Sequence, residues 1–163
     1  MRTLLILRHG KAAPDGGGND AHRPLTRRGK QQAEQIGQLL REENLVPDRI
    51  LASSARRTRE TAQKAAAAAG YGGTIDELDE LYLAEPEAYI TAVRRDASKA
   101  ERVLLVGHNP GLEALTLILT GDPVSLPPAG LVVCELPIAS FAELVAQVRG
   151  QMQRFARPTE LED

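Results

Sequence analysis

The sequence predicts an α/β fold, a three-layer sandwich in which a mostly parallel central sheet is flanked by helices. Three observations carry that expectation. Continuously apolar runs at residues 3–7 and 102–106 suit strands buried on both faces rather than strands with one wet side. Segments with apolar residues at helical spacing separate such runs, and that alternation is the pattern of parallel sheets. The 163 residues, 42% of them hydrophobic, can bury a sizeable core, and neither an internal repeat nor a linker divides them. One domain over residues 1–163 is expected.

Taken in order, residues 3–7 form the first strand, closed by Gly10. Residues 14–20, PDGGGND, compose a loop. Their glycines are not followed by the Gly-Lys-Ser/Thr of a phosphate loop. Thr26 suits the N-cap of a helix through about Glu43, with Ala33, Ile36 and Leu40 on its inner face. A short strand at residues 49–52 leads into an alanine-rich helix at 56–69, stopped by Gly70. Ile75 begins another short strand, and Pro86 opens a helix reaching about Ala97. The strand at 102–106 runs into Gly107-His108-Asn109-Pro110-Gly111, then a helix with Leu112, Leu115 and Leu119 on one face and Gly121 behind it. Residues 131–136 make a further strand, in which Cys134 reads as a buried strand residue. Residues 141–148 look partly helical, residues 151–156 suit a helix end or an edge strand, and the acidic residues 160–163 read as a frayed tail.

Composition excludes several function classes. A formal net charge of −2 gives no global field for nucleic acid or an anionic membrane, and aromatics at 3% without tryptophan supply no stacking platform. A single cysteine rules out an intrachain disulfide framework and cysteine-based metal sites. The apolar stretch at residues 4–7 is too short for a signal-peptide core or a membrane span, so a cytoplasmic location is expected.

Two strands run directly into a histidine beside a glycine, in Arg8-His9-Gly10 and Gly107-His108. Taken singly, Arg8 and His9 fit a solvated strand exit. In a parallel sheet, however, ligands collect beyond the carboxyl ends of the strands, which places both motifs on one edge. The strand at 49–52 exits there too, delivering Ser53-Ser54-Ala55-Arg56-Arg57-Thr58-Arg59-Glu60-Thr61. Two imidazoles and several guanidiniums then converge with little acidic counterweight. Such a pocket suits a dianionic phosphoryl group: guanidinium forks match its oxygens, and an imidazole can attack phosphorus. A metal centre is the competing account of two histidines, but carboxylates at ligand spacing are missing and the arginines would repel an ion. Gly10 would leave room for the phosphoryl group to approach the backbone.

These residues resemble a known family. Leu7-Arg8-His9-Gly10 looks like the Arg-His-Gly signature of the histidine phosphatase (phosphoglycerate mutase-like) superfamily, and Val106-Gly107-His108-Asn109-Pro110 looks like its second-histidine motif. The run from Ser53 to Ala62 resembles the family's Ser-Pro-x-x-Arg-Ala-x-x-Thr-Ala element, with Ser54 in place of proline, and matching back from Thr61 sets the phosphate-binding arginine at Arg57. Asp20-Ala21-His22-Arg23-Pro24-Leu25-Thr26 with Gly29, then Glu80-Leu81-Tyr82-Leu83-Ala84 and Phe155-Ala156-Arg157-Pro158, resemble the small SixA-like phosphohistidine phosphatases.

The resemblance implies a parallel-rich sheet with an antiparallel edge strand, and a phosphatase that needs no metal or organic cofactor. His9 would attack phosphorus as a neutral imidazole, forming a phosphohistidine intermediate that water releases. Arg8, Arg57 and protonated His108 would hold the phosphoryl oxygens. The expected substrate is phosphohistidine on a protein or a small phosphoramidate. A small phosphomonoester is the alternative enzyme reading, and a non-catalytic phosphate-binding module the alternative from another class. Larger relatives supply a glutamate as general acid in a context absent here. Glu80 is the best candidate among Glu77, Asp79, Glu80 and Glu85. Arg23 is either a helix-region or carboxylate partner or a substrate contact, Asn109 would orient the His108 loop and join the phosphate- or substrate-binding residues, and His22 is expected in solvent. Neither nucleic acid nor a membrane is expected as partner, and a monomer is favoured.

Overall fold

The computed structural model describes residues 1–14 and 18–158, so part of the 14–20 loop and the 160–163 tail lie outside the described residues. Six strands hydrogen-bond into one mixed sheet: β1 (Arg2–Arg8), β2 (Arg49–Ser53), β3 (Ile75–Leu78), β4 (Arg102–Gly107), β5 (Leu131–Leu136) and β6 (Gln151–Ala156). Their order is β3-β2-β4-β1-β5-β6. The first four in that order are mutually parallel, β5 is antiparallel to β1, and β6 is antiparallel to β5. The one reversed strand is therefore β5, inside the sheet, and not the edge strand that the family resemblance implied. Residues 151–156 resolve as that edge strand.

Side chains of β1 alternate between two cores. Leu4 and Ile6 join Val103 and Leu105 on the face covered by α3 (Pro86–Asp96) and α4 (Gly111–Thr120). Leu5 and Leu7 join Leu104 and Val106 on the face covered by α1 (Arg27–Glu42) and α2 (Arg56–Ala69). Burial on both sides explains the unbroken apolar runs, since Leu4–Leu7 of β1 and Val103–Val106 of β4 are all fully buried. Cys134 is buried in β5 with a free thiol.

Caps set the helix ends. The Thr26 side chain accepts from the Gly29 N–H at the start of α1, and Gly70 and Gly121 adopt left-handed φ at the ends of α2 and α4. The partly helical character expected of residues 141–148 is confined to a single 3-10 turn at Phe141–Glu143. Phe141 and Leu144 are buried there, so apolar content at helical spacing served as an anchor for a loop rather than as a helix face. No described helix is long and apolar enough to cross a membrane.

Candidate active site

The site is set by two adjacent strands. Register pairs Arg8 of β1 with Gly107 of β4, so the chain leaves both strands at the same level, into His9 and His108. The His9 N–H donates to the Gly107 carbonyl at 3.2 Å, while the Ala129 N–H donates to the His9 carbonyl at 3.0 Å. The nucleophile candidate is thus clamped by β4 on one side and by the segment leading into β5 on the other, and the two imidazole centroids lie 5.4 Å apart.

The Arg-His-Gly loop is closed from below by helix starts. The Gly10 N–H donates to Thr61 Oγ1, which itself donates to the Arg57 carbonyl. A Cβ on Gly10 would lie 2.6 Å from the Gly29 carbonyl oxygen, and one on Gly29 would lie 2.2 Å from that of Lys11. Gly10 is therefore required for backbone packing against α1. This packing is a separate requirement from the room expected for a phosphoryl group.

The protonation of His9 follows from its neighbours. Its Nδ1 lies 2.8 Å from the Gly10 carbonyl, an acceptor, so Nδ1 carries the hydrogen and Nε2 keeps a lone pair. Burial, followed by the charges of Arg57, Arg8 and Arg23, pushes its pKa down to about 4 despite the opposing Gly10 bond. The imidazole is neutral at physiological pH.

His108 is 2% exposed and equally neutral. Burial first, then His9 and Arg57, lowers its pKa to about 3. Arg57 Nη2 faces its Nδ1 at 3.4 Å, and its Nε2 pairs with Ser53 Oγ at 2.8 Å. A guanidinium can only donate, so Nδ1 accepts and Nε2–H points at Ser53. His108 is therefore unprotonated at rest, as the nearby arginines imply for an empty site, because a second cation among them is too costly without an anion present.

Arg57 is 3% exposed. Its Nη1 donates to the Asp20 carbonyl at 2.9 Å and its Nη2 to Asp20 Oδ2 at 3.0 Å. Arg56, by contrast, pairs with Glu60 on the surface of α2. Asp20 also accepts from Tyr82 Oη, and from Arg23 Nη1 at 3.1 Å. The Tyr82 bond above all, with Arg23 and Arg57 behind it, holds the Asp20 carboxyl at about 2. Arg23 in addition donates from Nε to the Ala13 carbonyl at 2.6 Å. It braces the early loop on a carboxylate, the first of the two roles expected of it, and its charge also reaches His9. His22 is exposed.

Arg8 Nη1 donates to the Leu126 carbonyl at 2.9 Å, while its buried Nε has no partner. Asn109 Nδ2 donates to that same carbonyl at 2.9 Å and to Glu113 Oε2 at 3.1 Å. Glu113 also accepts from the Leu126 N–H at 2.8 Å. Asn109 thus ties the His108 loop to the segment under Arg8, as expected of it, through a carboxylate the sequence did not single out.

Glu80 is not brought to the histidines. Its carboxylate pairs with Arg95 at 2.9 Å, the side chain is 46% exposed, and it is not among the groups acting on either imidazole. The general acid expected there is displaced because the 3-10 turn at Asp79–Leu81 buries Leu81 and turns Glu80 outward. Sequence reasoning passed over Tyr82, Glu113 and the part Ser53 plays beneath His108. The Tyr82 signal was available: a tyrosine two residues beyond Glu80, in a region searched only for carboxylates.

Two imidazoles and two guanidiniums beyond the carboxyl ends of β1, β2 and β4 suit a phosphoryl oxygen cluster beside an attacking nitrogen, while the Asp20 carboxylate, from the Asp20–His22 turn, holds Arg57 in the absence of an anion. Comparison with known proteins agrees. The family model for the histidine phosphatase superfamily (branch 1) matches residues 4–96. An uncharacterized protein of Mycobacterium tuberculosis is 34% identical over 113 residues, 69% of each chain. Among solved structures, a candidate phosphohistidine phosphatase SixA from Agrobacterium tumefaciens is similar with a TM-score of 0.82 and 32% identity, over 96% of this chain and 98% of that one. Its counterpart from Nakamurella multipartitia gives 0.81 and 29%, over 96% of both chains.

Proposed function

Because this chain belongs to the histidine phosphatase superfamily, in its SixA-like branch, we propose that it hydrolyses a phosphorus–nitrogen bond, taking phosphohistidine on a protein as substrate. His9 Nε2 attacks phosphorus in line. The His9–phosphorus bond forms as the bond to the leaving imidazole breaks. That leaving group already carries a proton on its other ring nitrogen, so it departs neutral. Water then attacks the phosphohistidine, phosphate leaves with the oxygen of that water, and its proton passes to solvent. Arg8 and Arg57 hold the equatorial oxygens throughout. The bound dianion draws a proton to His108, which then donates to a phosphoryl oxygen.

One observation carries the choice of nitrogen over oxygen as leaving atom. Asp20 is the carboxylate that acts on His108, and its contacts with Tyr82, Arg23 and Arg57 keep it ionised, with a pKa of about 2. At neutral pH it has no proton to give an alkoxide. An ester therefore departs uphill, whereas a protonated phosphoimidazole needs no such donor.

The reading is tested by comparing a phosphohistidine peptide with an aryl phosphate and a sugar phosphate. The expected result is kcat/KM at least about a hundredfold higher for the peptide, with acid-labile, alkali-stable label trapped on His9 by rapid quench. Preference for either ester would overturn the substrate class. Turnover of the peptide without label on His9 would overturn the covalent route.

A further inference from the structure

Helix starts in this fold carry an electrostatic anomaly. The positive end of a helix dipole favours acids in the first turn and disfavours cations. The first turns of α3 and α4 follow that preference with Glu87 and Glu113, but those of α1 and α2 contain no acid. α1 begins Arg27-Arg28-Gly29-Lys30, and α2 begins Arg56-Arg57-Thr58-Arg59. In a chain of net charge −2, both clusters sit where the fold itself resists them.

The start of α1 packs on the chain that follows His9, with Gly29 against the backbone of Gly10 and Lys11. Lys11 lies two residues beyond His9, and its carbonyl accepts from both the N–H and the hydroxyl of Thr26, the α1 cap. Lys11 and Arg27 are exposed, Lys30 is half-buried, and no described carboxylate pairs with any of the three. They are not needed to hold the phosphoryl group, a role the half-buried Arg8 and the buried Arg57 already fill in the proposed function.

A second feature lies beside Tyr82, whose ring meets His108 edge-on. Leu83 follows Tyr82, whose hydroxyl reaches Asp20. It is 56% exposed and holds a left-handed φ of 49°, a conformation that leucine rarely adopts. An apolar side chain raised into solvent on a strained backbone, beside a reactive pocket, is the kind of feature kept for contact rather than for folding.

From these two features we infer that the rim of the site is a docking surface for an acidic protein face around the phosphohistidine, with Lys11, Arg27 and Lys30 opposing its carboxylates and Leu83 meeting an apolar residue. The inference rests on the proposed substrate class and adds what surrounds the phosphoryl group. The same charges explain selection against other carriers: a basic flank would meet unpaired cations at close range.

The test separates docking from chemistry. The probes are free phosphohistidine and two short fluorescent histidine peptides, each containing leucine, one flanked by glutamates and one by glutamines, prepared with and without phosphate. The variants are Lys11→Glu/Arg27→Glu/Lys30→Glu and Leu83→Gly. Reversal to glutamate favours the start of α1 and glycine relaxes the left-handed position, so neither variant should lose thermal stability. The unphosphorylated glutamate peptide should bind the wild type at least about tenfold more tightly than the glutamine peptide at low salt, an advantage lost with added salt and in the triple variant. Leu83→Gly should weaken both peptides severalfold. Turnover of free phosphohistidine should be unchanged in both variants. Equal binding of the two peptides by the wild type, read by anisotropy without any turnover, would overturn the docking surface even if phosphohistidine is the substrate. Tight binding of the glutamate peptide with no hydrolysis of any phosphohistidine probe would instead retain the surface and sink the substrate class.

Discussion

Arg57 makes three directed bonds from one guanidinium: to the Asp20 backbone, to the Asp20 carboxylate and to the unprotonated Nδ1 of His108. That geometry needs a planar fork, because the three bonds leave from two separated nitrogens in one plane, whereas an ammonium's three donors diverge from a single point. The consequence for a phosphoryl group is orientation as much as charge. Replacing Arg57 by lysine keeps the charge and loses the fork. Arg57→Lys should lower kcat/KM for a phosphohistidine peptide by about 10²–10³, the usual cost of losing one transition-state donor, with most of the loss in kcat. An effect under tenfold would mean that positive charge alone suffices and that the Asp20 and His108 contacts are incidental. His22→Ala, on an exposed residue of the same early loop, is the matched control and should leave both constants unchanged.

At the scale of elements, α1 and α2 approach so closely that side chains are excluded at the crossing. A Cβ on Gly37 would stand 2.3 Å from the Ala65 carbonyl and 2.7 Å from Ala68 Cβ. Gly37→Ala should therefore cost about 1–3 kcal/mol in urea unfolding at unchanged m-value, although alanine is the better helix former. A gain in stability would show that propensity outweighs the contact. This crossing also illustrates what the sequence made legible. Thr26, Gly70, Pro86 and the apolar runs marked nearly every helix and strand, because capping and two-sided burial are local requirements written in consecutive residues. The reversal of β5 and the loop that anchors Phe141 depend on tertiary pairing, which leaves no local mark. In the site, Arg8, His9, Arg57 and His108 came from strand ends that parallel topology forces together. Tyr82 and Glu113 arrive from a turn and a helix, on residues that any solvated surface also carries. Glu80 went wrong for that reason, since a carboxylate near the right strand says nothing of which way its turn faces.

At the scale of the whole molecule, burying two histidines beside two arginines ties the stability of the fold to pH. The folded-state pKa values are about 4 for His9 and about 3 for His108, against about 6.5 in an unfolded chain. Above pH 6.5 both states leave the rings neutral and the site exacts nothing. Between pH 6.5 and 4 the unfolded chain binds up to two protons that the folded chain refuses, so stability falls as pH falls, by up to about 1.4 kcal/mol per pH unit for each proton. Asp20 adds to this at lower pH: its carboxyl is held at about 2 when folded, so the stabilisation present above its unfolded pKa of about 4 is lost as pH drops toward 2. Every shift has the same sign, and the fold should be acid-sensitive from the moment ordinary imidazoles begin to titrate. Urea unfolding from pH 7.5 to 4.5 should give a midpoint that declines below pH 6.5 in the wild type and more shallowly in His9→Asn and His108→Asn, each of which removes one reluctant proton acceptor. Parallel curves for all three proteins would mean that the rings titrate normally when folded, and would remove the basis for a neutral nucleophile set by burial. Inorganic phosphate should flatten the wild-type curve, because an anion between the guanidiniums raises both folded pKa values toward their unfolded level.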